Sequence, residues 1–202
     1  MLFILASLVV IATPGQDMIL VMSRSLAQGP RAGLATAAGV SVGLLGHTLI
    51  ATLGLGAILR ASDWLFLALK LAGAAYLLYL GMVFLMIKQA DLAFGGAEQR
   101  SSGRLFFEGA VSNLSNAKIV VFYLAFLPQF VAPSAEHPTL TVFALGATFA
   151  ALTFLVKGPV GVFAGALSGW LRRRPAALTW IYRSSGAILI GLGLRLAFER
   201  RA

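Results

Sequence analysis

Long apolar runs alternate with short polar segments along nearly the whole chain. A membrane-spanning helix needs roughly 20 mostly apolar residues, and six runs have that length. They cover residues 2–22, 34–59, 64–87, 107–131, 140–167 and 176–198. The segments between them are too short to hold a soluble domain. The pattern predicts an all-α integral membrane protein with six transmembrane helices, embedded in a lipid bilayer as one transmembrane domain.

Composition supports this class. Of the 202 residues, 59% are hydrophobic and only 11% are charged, and the mean hydropathy is +0.89. A soluble domain has roughly a quarter of its residues charged. The absence of cysteine excludes disulfides and thiolate chemistry. The net charge of +9 does not indicate nucleic-acid binding, because the basic residues gather at the ends of apolar runs.

The distribution of Lys and Arg predicts the orientation. Cytoplasmic loops of membrane proteins carry an excess of positive charge. Here the first, third and fifth loops together hold eight basic residues, whereas the second holds one and the fourth none. The odd-numbered loops are therefore expected in the cytoplasm and both termini outside it. Arg200 and Arg201 in the tail oppose this assignment.

The first run is less regular than the others. Residues 2–12 have the length of a signal-peptide core, but no basic residue precedes them and no clear cleavage pattern follows. We interpret them as the first half of a true span. A five-span protein whose first segment re-enters the membrane is the alternative.

Two spans are interrupted by polar residues in corresponding places. The stretch TPGQDMILVM (residues 13–22) overlays LSNAKIVVFY (residues 114–123), which sets Asp17 opposite Lys118. Each stretch opens a set of three helices, and sets with an odd number of helices cross the membrane in opposite directions. Matched interruptions in two inverted halves are the best indication of a transporter's binding site in a sequence. The predicted repeats cover residues 1–88 and 105–202.

The chemistry of the interruption suits an amino acid. Pro14 has no N–H and blocks the carbonyl one turn before it, so the hydrogen-bond ladder opens there. Such freed groups are tolerated at membrane depth only when they face protein or a wet cavity. The positive end of a broken helix suits a carboxylate, and open carbonyls suit an ammonium group. The sequence therefore predicts a polar niche near the middle of the membrane.

Each candidate residue also has a structural interpretation. Asp17 and Lys118 are candidates for substrate binding, or they form an ion pair that locks the two halves together, since a buried charge needs a partner. Asn113 and Asn116 are candidates too, or they only satisfy backbone groups at the break.

Two further polar residues lie inside apolar runs. Lys157, beside Gly158 and Pro159, is a further binding candidate, although its stem could carry the charge toward the cytoplasm. His47 is a candidate for proton transfer or an ordinary hydrogen-bonded core residue.

Several function classes lack support. The sequence has no cluster with metal-ligand spacing, no phosphate-binding G-x-x-x-x-G-K-[ST] loop, and no Ser/His/Asp set within the spans. An enzyme, a metal site and a bound cofactor are therefore not predicted. A passive pore, an exporter of another small solute and a non-transporting scaffold built by glycine-mediated packing stay open as alternatives.

The chain resembles the LysE/RhtB-type amino-acid exporters, a family that includes lysine, threonine and homoserine exporters. The likeness covers nearly the whole chain and lies in five stretches that follow the family's order. These are ATPGQDMILVMSRSLAQGPRAGL, AAGVSVGLLGH, LKLAGAAYLLYLG, NLSNAKIVVFYLAFLPQFV and GAILIGLGLRLAF.

The resemblance implies six helices in two inverted repeats and export of amino acids driven by the proton gradient. It also implies a homodimer in the inner (plasma) membrane of a bacterium. The family's first motif falls on Thr13, Pro14, Gly15 and Asp17, and its second falls on Asn113, Asn116 and Lys118.

Two departures from the family pattern stand out. Gln16 and Ala117 occupy equivalent positions in the two halves, and both replace a proline that the family usually has. Lys157 stands where many relatives carry an apolar or aromatic residue. This second departure points to a subgroup with a different substrate.

Overall fold

The chain forms an all-helical protein in a computed structural model that describes residues 1–61, 63–86, 99–131 and 135–198. This confirms the predicted all-α class, and these ranges contain no β-strand. The helices are α1 (Leu2–Ala12), α2 (Gln16–Gln28), α3 (Pro30–Ala61), α4 (Asp63–Met86), α5 (Ser102–Leu114), α6 (Ala117–Phe126), a short 3-10 helix (Leu127–Phe130), α7 (Pro138–Val162), α8 (Ala164–Arg173) and α9 (Pro175–Phe198).

The predicted first span is a bent pair of helices. Helix α1 ends at Ala12, two residues before Pro14, and α2 starts at Gln16 after a bend of 54°. The predicted fourth span is interrupted in the same way, because α5 ends at Leu114 and α6 begins at Ala117. Both interruptions lie where the sequence placed them.

Within the described residues, two helices are long and apolar enough to cross a membrane. They lie at 30–54, within α3, and at Pro138–Val162, which is α7. The bent pair α1–α2 makes a third candidate if it counts as one span, and Leu71–Met86 is a shorter apolar helix. These findings support a membrane protein, whereas the full set of six spans stays a prediction.

Three helix pairs make the most extensive contacts, namely α3 with α7, α3 with α5 and α4 with α9. Glycine permits the close approach of α3 and α7. A Cβ added to Gly33 would lie 2.9 Å from the Cα of Gly161, which is closer than carbon atoms pack. Helix α3 therefore packs against α7 and against α5, which is the first half of the second interrupted helix.

The turn between α2 and α3 also depends on glycine. Gly29 has a φ of 91°, a conformation that side chains with a Cβ rarely adopt. Pro30 follows as the first residue of α3, a position where its missing N–H costs no helical hydrogen bond. This corner turns the chain back so that α2 packs along α3.

Each interrupted helix has a side-chain cluster on either side of its break, one aromatic and one charged. Aromatic rings pack together on the side of α1 and α6, where the Phe3 and Phe130 rings are 5.1 Å apart and Phe122 and Phe126 are 4.8 Å apart. Charged residues meet on the side of α2 and α5, where Arg24 lies 3.2 Å from Glu108. The interruptions therefore occur between an apolar region and a charged one.

Candidate functional site

A buried ion pair joins the first interrupted helix to α7. Asp17 lies in the first turn of α2, where a negative charge is favoured by the helix dipole. Its Oδ2 lies 3.2 Å from Lys157 Nζ, and both side chains are more than nine-tenths buried. Two opposite charges in apolar surroundings are far less costly as a pair than alone. Lys157 therefore does not extend its charge to the membrane surface, which was the structural interpretation of this residue.

Asn113 connects the second interrupted helix to the same carboxylate. It lies in the last turn of α5, and its Nδ2 donates to Asp17 Oδ2 at 2.9 Å. Asn113 is fully buried. Asp17 Oδ2 thus accepts from an amide and an ammonium group, whereas Oδ1 has no hydrogen-bond partner among the residues that the structure describes.

His47 extends the cluster into α3. Its Nε2 lies 2.9 Å from the backbone oxygen of Asn113. A carbonyl oxygen only accepts, so Nε2 carries the hydrogen in this contact. His47 is 2% exposed, and in the described part of the chain its Nδ1 has no partner. The contact supports the hydrogen-bonded interpretation of His47. It also links the ring to Asp17 indirectly, because Asn113 contacts both residues.

The first interruption has its own hydrogen bonds to α9. The Thr13 hydroxyl donates to the Val9 carbonyl at 2.9 Å and contacts the Ser185 hydroxyl. The hydroxyl of Tyr182 donates to the carbonyl oxygen of Pro14. These groups satisfy part of the backbone that the break exposes.

Gly15 and Asn116 occupy less crowded positions. Gly15 precedes α2 with extended backbone, and a Cβ built on it would have no neighbour within 4 Å. Asn116 Nδ2 donates to Gln16 Oε1 at 3.4 Å. The two interruptions are therefore in direct contact, through residues that the sequence comparison of the halves placed one position apart.

The predicted site residues fall into three groups. The structure brings Asp17, Asn113 and Lys157 together and sets His47 against Asn113. It places Thr13, Pro14, Gly15 and Asn116 along the two interruptions. The side chain of Lys118 lies outside the part of the structure that is described, so its expected pairing with Asp17 is neither confirmed nor contradicted.

Some contacts were not anticipated from the sequence. Tyr182 and Ser185 were not singled out, although a tyrosine and a serine three positions apart in an apolar helix could have indicated a polar face. Glu108, in α5, has a second set of contacts of this kind. It lies within 4.0 Å of three arginines, at 3.2 Å from Arg24, 3.6 Å from Arg104 and in direct contact with Arg100.

The fold and the site define a helical membrane protein with a buried charged cluster where two helices are interrupted. The family model described as LysE type translocator matches residues 8–200, and the chain belongs to this family. Membership confirms the predicted family and the prediction of a transporter rather than an enzyme.

Several known proteins are similar to the chain over nearly its whole length. The homoserine/homoserine lactone efflux protein of Salmonella typhimurium is 31% identical over 201 residues, which cover 99% of this chain and 96% of the relative. An uncharacterized membrane protein of Pseudomonas aeruginosa is also 31% identical, over 96% of this chain and 93% of the relative. No solved structure matches the chain.

Proposed function

We propose that the protein is a secondary transporter that exports amino acids or close derivatives from the cytoplasm. The observation that carries this proposal is the buried cluster of Asp17, Asn113 and Lys157 at the two interrupted helices. Ionisable residues inside a membrane are costly and usually mark a transport pathway. The family and the efflux protein of Salmonella support the same class of function.

The proposed architecture has six spans in two inverted repeats, about residues 1–88 and 105–202. Its support is the position of the breaks, since Gln16 begins α2 and Ala117 begins α6. The charged cluster around Glu108 fits an orientation with that end in the cytoplasm. Both termini then lie outside the cytoplasm. The protein itself is proposed to reside in the inner membrane of a bacterium. The homodimer rests on the family resemblance alone.

The proposed substrate site lies between the repeats. It consists of residues at the two interruptions and the lysine of α7, namely Thr13, Pro14, Gly15, Asp17, Asn113, Asn116, Lys118 and Lys157. Asp17 supplies the negative charge for the substrate ammonium group. Asp17 Oδ1 has no hydrogen-bond partner among the described residues, so this oxygen is available as an acceptor.

Proton coupling is proposed to act through Asp17. A protonated Asp17 attracts neither Lys157 nor a substrate ammonium group, so proton entry weakens binding at the place where the substrate is held. His47 is the second candidate, because it contacts the Asn113 backbone while the Asn113 side chain holds Asp17. A change of charge at Asp17 therefore alters a contact next to His47.

The test uses proteoliposomes loaded with labelled amino acids, with and without an imposed pH gradient. The wild-type chain should release one or more amino acids faster when the gradient is present. Asp17→Asn should abolish the gradient-driven part of the release. Glu136→Gln, which also replaces a carboxylate by an amide but at an exposed residue, should not.

Three other results would contradict the proposal. Gradient-driven export that survives Asp17→Asn would remove Asp17 from coupling. Release that is indifferent to the gradient would indicate a passive pore. No release of any amino acid would indicate another solute or a scaffold. A scaffold would also fold normally with alanine at Asp17 and Lys118.

A further inference from the structure

The charges of the site exclude some substrates more strongly than others. Asp17 and Lys157 are paired at 3.2 Å and are more than nine-tenths buried, so this pair carries no net charge before substrate enters. A substrate with a net positive charge would bring an unbalanced charge into the membrane interior, which is costly. A zwitterion carries one charge of each sign and adds no net charge beside the pair.

The hydrogen-bonding capacity of the pair matches both ends of a zwitterion. Asp17 Oδ1 is buried and has no partner among the described residues, so it can accept from an ammonium group. Lys157 Nζ has three N–H donors. In the described part of the chain it donates one hydrogen bond, to Asp17 Oδ2. Donors therefore remain for a carboxylate.

The helix backbone around Lys157 is less constrained than that of an uninterrupted helix. Pro159, two residues later, lies inside α7. It has no N–H to donate to the carbonyl of Leu155. The turn that carries Lys157 is thus held by fewer backbone hydrogen bonds than an uninterrupted helix. A small movement of this turn can carry the ammonium group from Asp17 toward a bound substrate.

We infer that Lys157 determines specificity by binding the substrate carboxylate while Asp17 Oδ1 binds the ammonium group. The site then selects zwitterionic amino acids over amines that lack a free carboxylate. This inference rests on the proposed export function. It also distinguishes the two compounds in the name of the Salmonella relative, since homoserine has a free carboxylate and its lactone does not.

The experiment compares release of labelled homoserine and homoserine lactone from proteoliposomes at slightly acidic pH, where the lactone amine is protonated. Release from protein-free liposomes is subtracted as leakage. The wild-type chain should prefer homoserine by about ten- to a hundredfold, the value of one charge-assisted hydrogen bond. Lys157→Met should remove most of this preference and Lys157→Arg should keep it. Arg183→Met, which removes a positive charge from an exposed position, should leave it unchanged.

A second measurement does not depend on the folding of any variant. Homoserine should raise the thermal unfolding temperature of the purified wild-type protein, and the lactone at the same concentration should not. Equal release of both compounds by the wild type, or a preference that survives Lys157→Met, would overturn the inference and leave the export function intact. A wild-type chain that releases no amino acid would overturn the export function and, with it, this inference.

Discussion

Asp17 and Lys157 form a buried ion pair with 3.2 Å between Oδ2 and Nζ, although 140 positions separate them in the chain. Asp17 belongs to the first interrupted helix and Lys157 to the helix α7 of the other half. The pair therefore crosses the boundary that we propose between the repeats. Any movement of one half relative to the other has to break, stretch or replace this contact.

The pair predicts a specific pattern of stability. Asp17→Asn and Lys157→Met should each destabilise the protein by about 3–5 kcal/mol, because each leaves one buried charge without its partner. The double variant should recover most of the loss, since it removes both charges. Thermal unfolding of the protein in detergent measures all three, with Glu136→Gln as the control.

Transport should separate from stability in the same set of variants. The double variant should stay inactive in gradient-driven export even where its stability returns. If the losses of stability in the two single variants add up in the double variant, Asp17 and Lys157 do not interact directly.

His47 should tolerate replacement only by another hydrogen-bond donor. His47→Phe removes the donor to the Asn113 carbonyl and should cost about 1–3 kcal/mol, the penalty for a buried unsatisfied group. His47→Gln keeps an N–H in that region and should fold nearly as well as the wild type. If His47 takes part in coupling, the glutamine variant should still lose the pH dependence of export. Unchanged pH dependence would limit His47 to its structural role.

The sequence predicted the interruptions well because their signals are local. Pro14 and Gly15 act on the helix that contains them, so the break between Ala12 and Gln16 follows from the residues themselves. Asp17, Asn113 and Lys157 were each candidates because a polar residue in an apolar run needs a partner. The approximate bounds of most helices likewise follow from the length of the apolar runs, but the run 140–167 is divided at Phe163, between α7 and α8.

The partners could not be predicted in the same way. Overlaying the two halves set Asp17 opposite Lys118, whose side chain lies outside the described part of the structure, and gave no sign of the ion pair between Asp17 and Lys157. Equivalence in a repeat is a relationship between positions, and contact depends on how helices from different parts of the chain pack. The three arginines around Glu108 illustrate the same limit, because Arg24 reaches it from another helix.

Restoring the two family prolines should be tolerated. Gln16 and Ala117 are the first residues of α2 and α6, a position at which proline fits. Gln16→Pro and Ala117→Pro should therefore fold, although the first loses the contact with Asn116. Ile19→Pro is the matched control, because it removes the hydrogen bond to the Gly15 carbonyl and should cost about 3 kcal/mol or more. Expression and thermal unfolding measure the difference, and equal losses at positions 16 and 19 would contradict it.

Glu108 should contribute a stability that depends on salt. Its carboxylate is surrounded by Arg24, Arg100 and Arg104, and its side chain is one-quarter exposed. Glu108→Gln leaves three guanidinium groups close together and should cost about 1 kcal/mol at low salt. Added salt screens like charges, so the difference from the wild type should shrink between 0.05 and about 0.5 M NaCl. A difference that does not change with salt would indicate a packing role instead.

The contact between Gly33 and Gly161 should tolerate little added volume. A Cβ at Gly33 would lie 2.6 Å from the Cβ of Ser25 and 2.9 Å from the Cα of Gly161, so α2, α3 or α7 would have to shift. Gly33→Ala and Gly161→Ala should each cost about 1–3 kcal/mol, as overpacking does. Gly54→Ala is the control, because no atom lies within 4 Å of a Cβ there and alanine favours a helix by up to about 1 kcal/mol. Thermal unfolding should therefore rank Gly54→Ala at or above the wild type and the other two below it. Equal effects at all three positions would show that α3 and α7 have space between them.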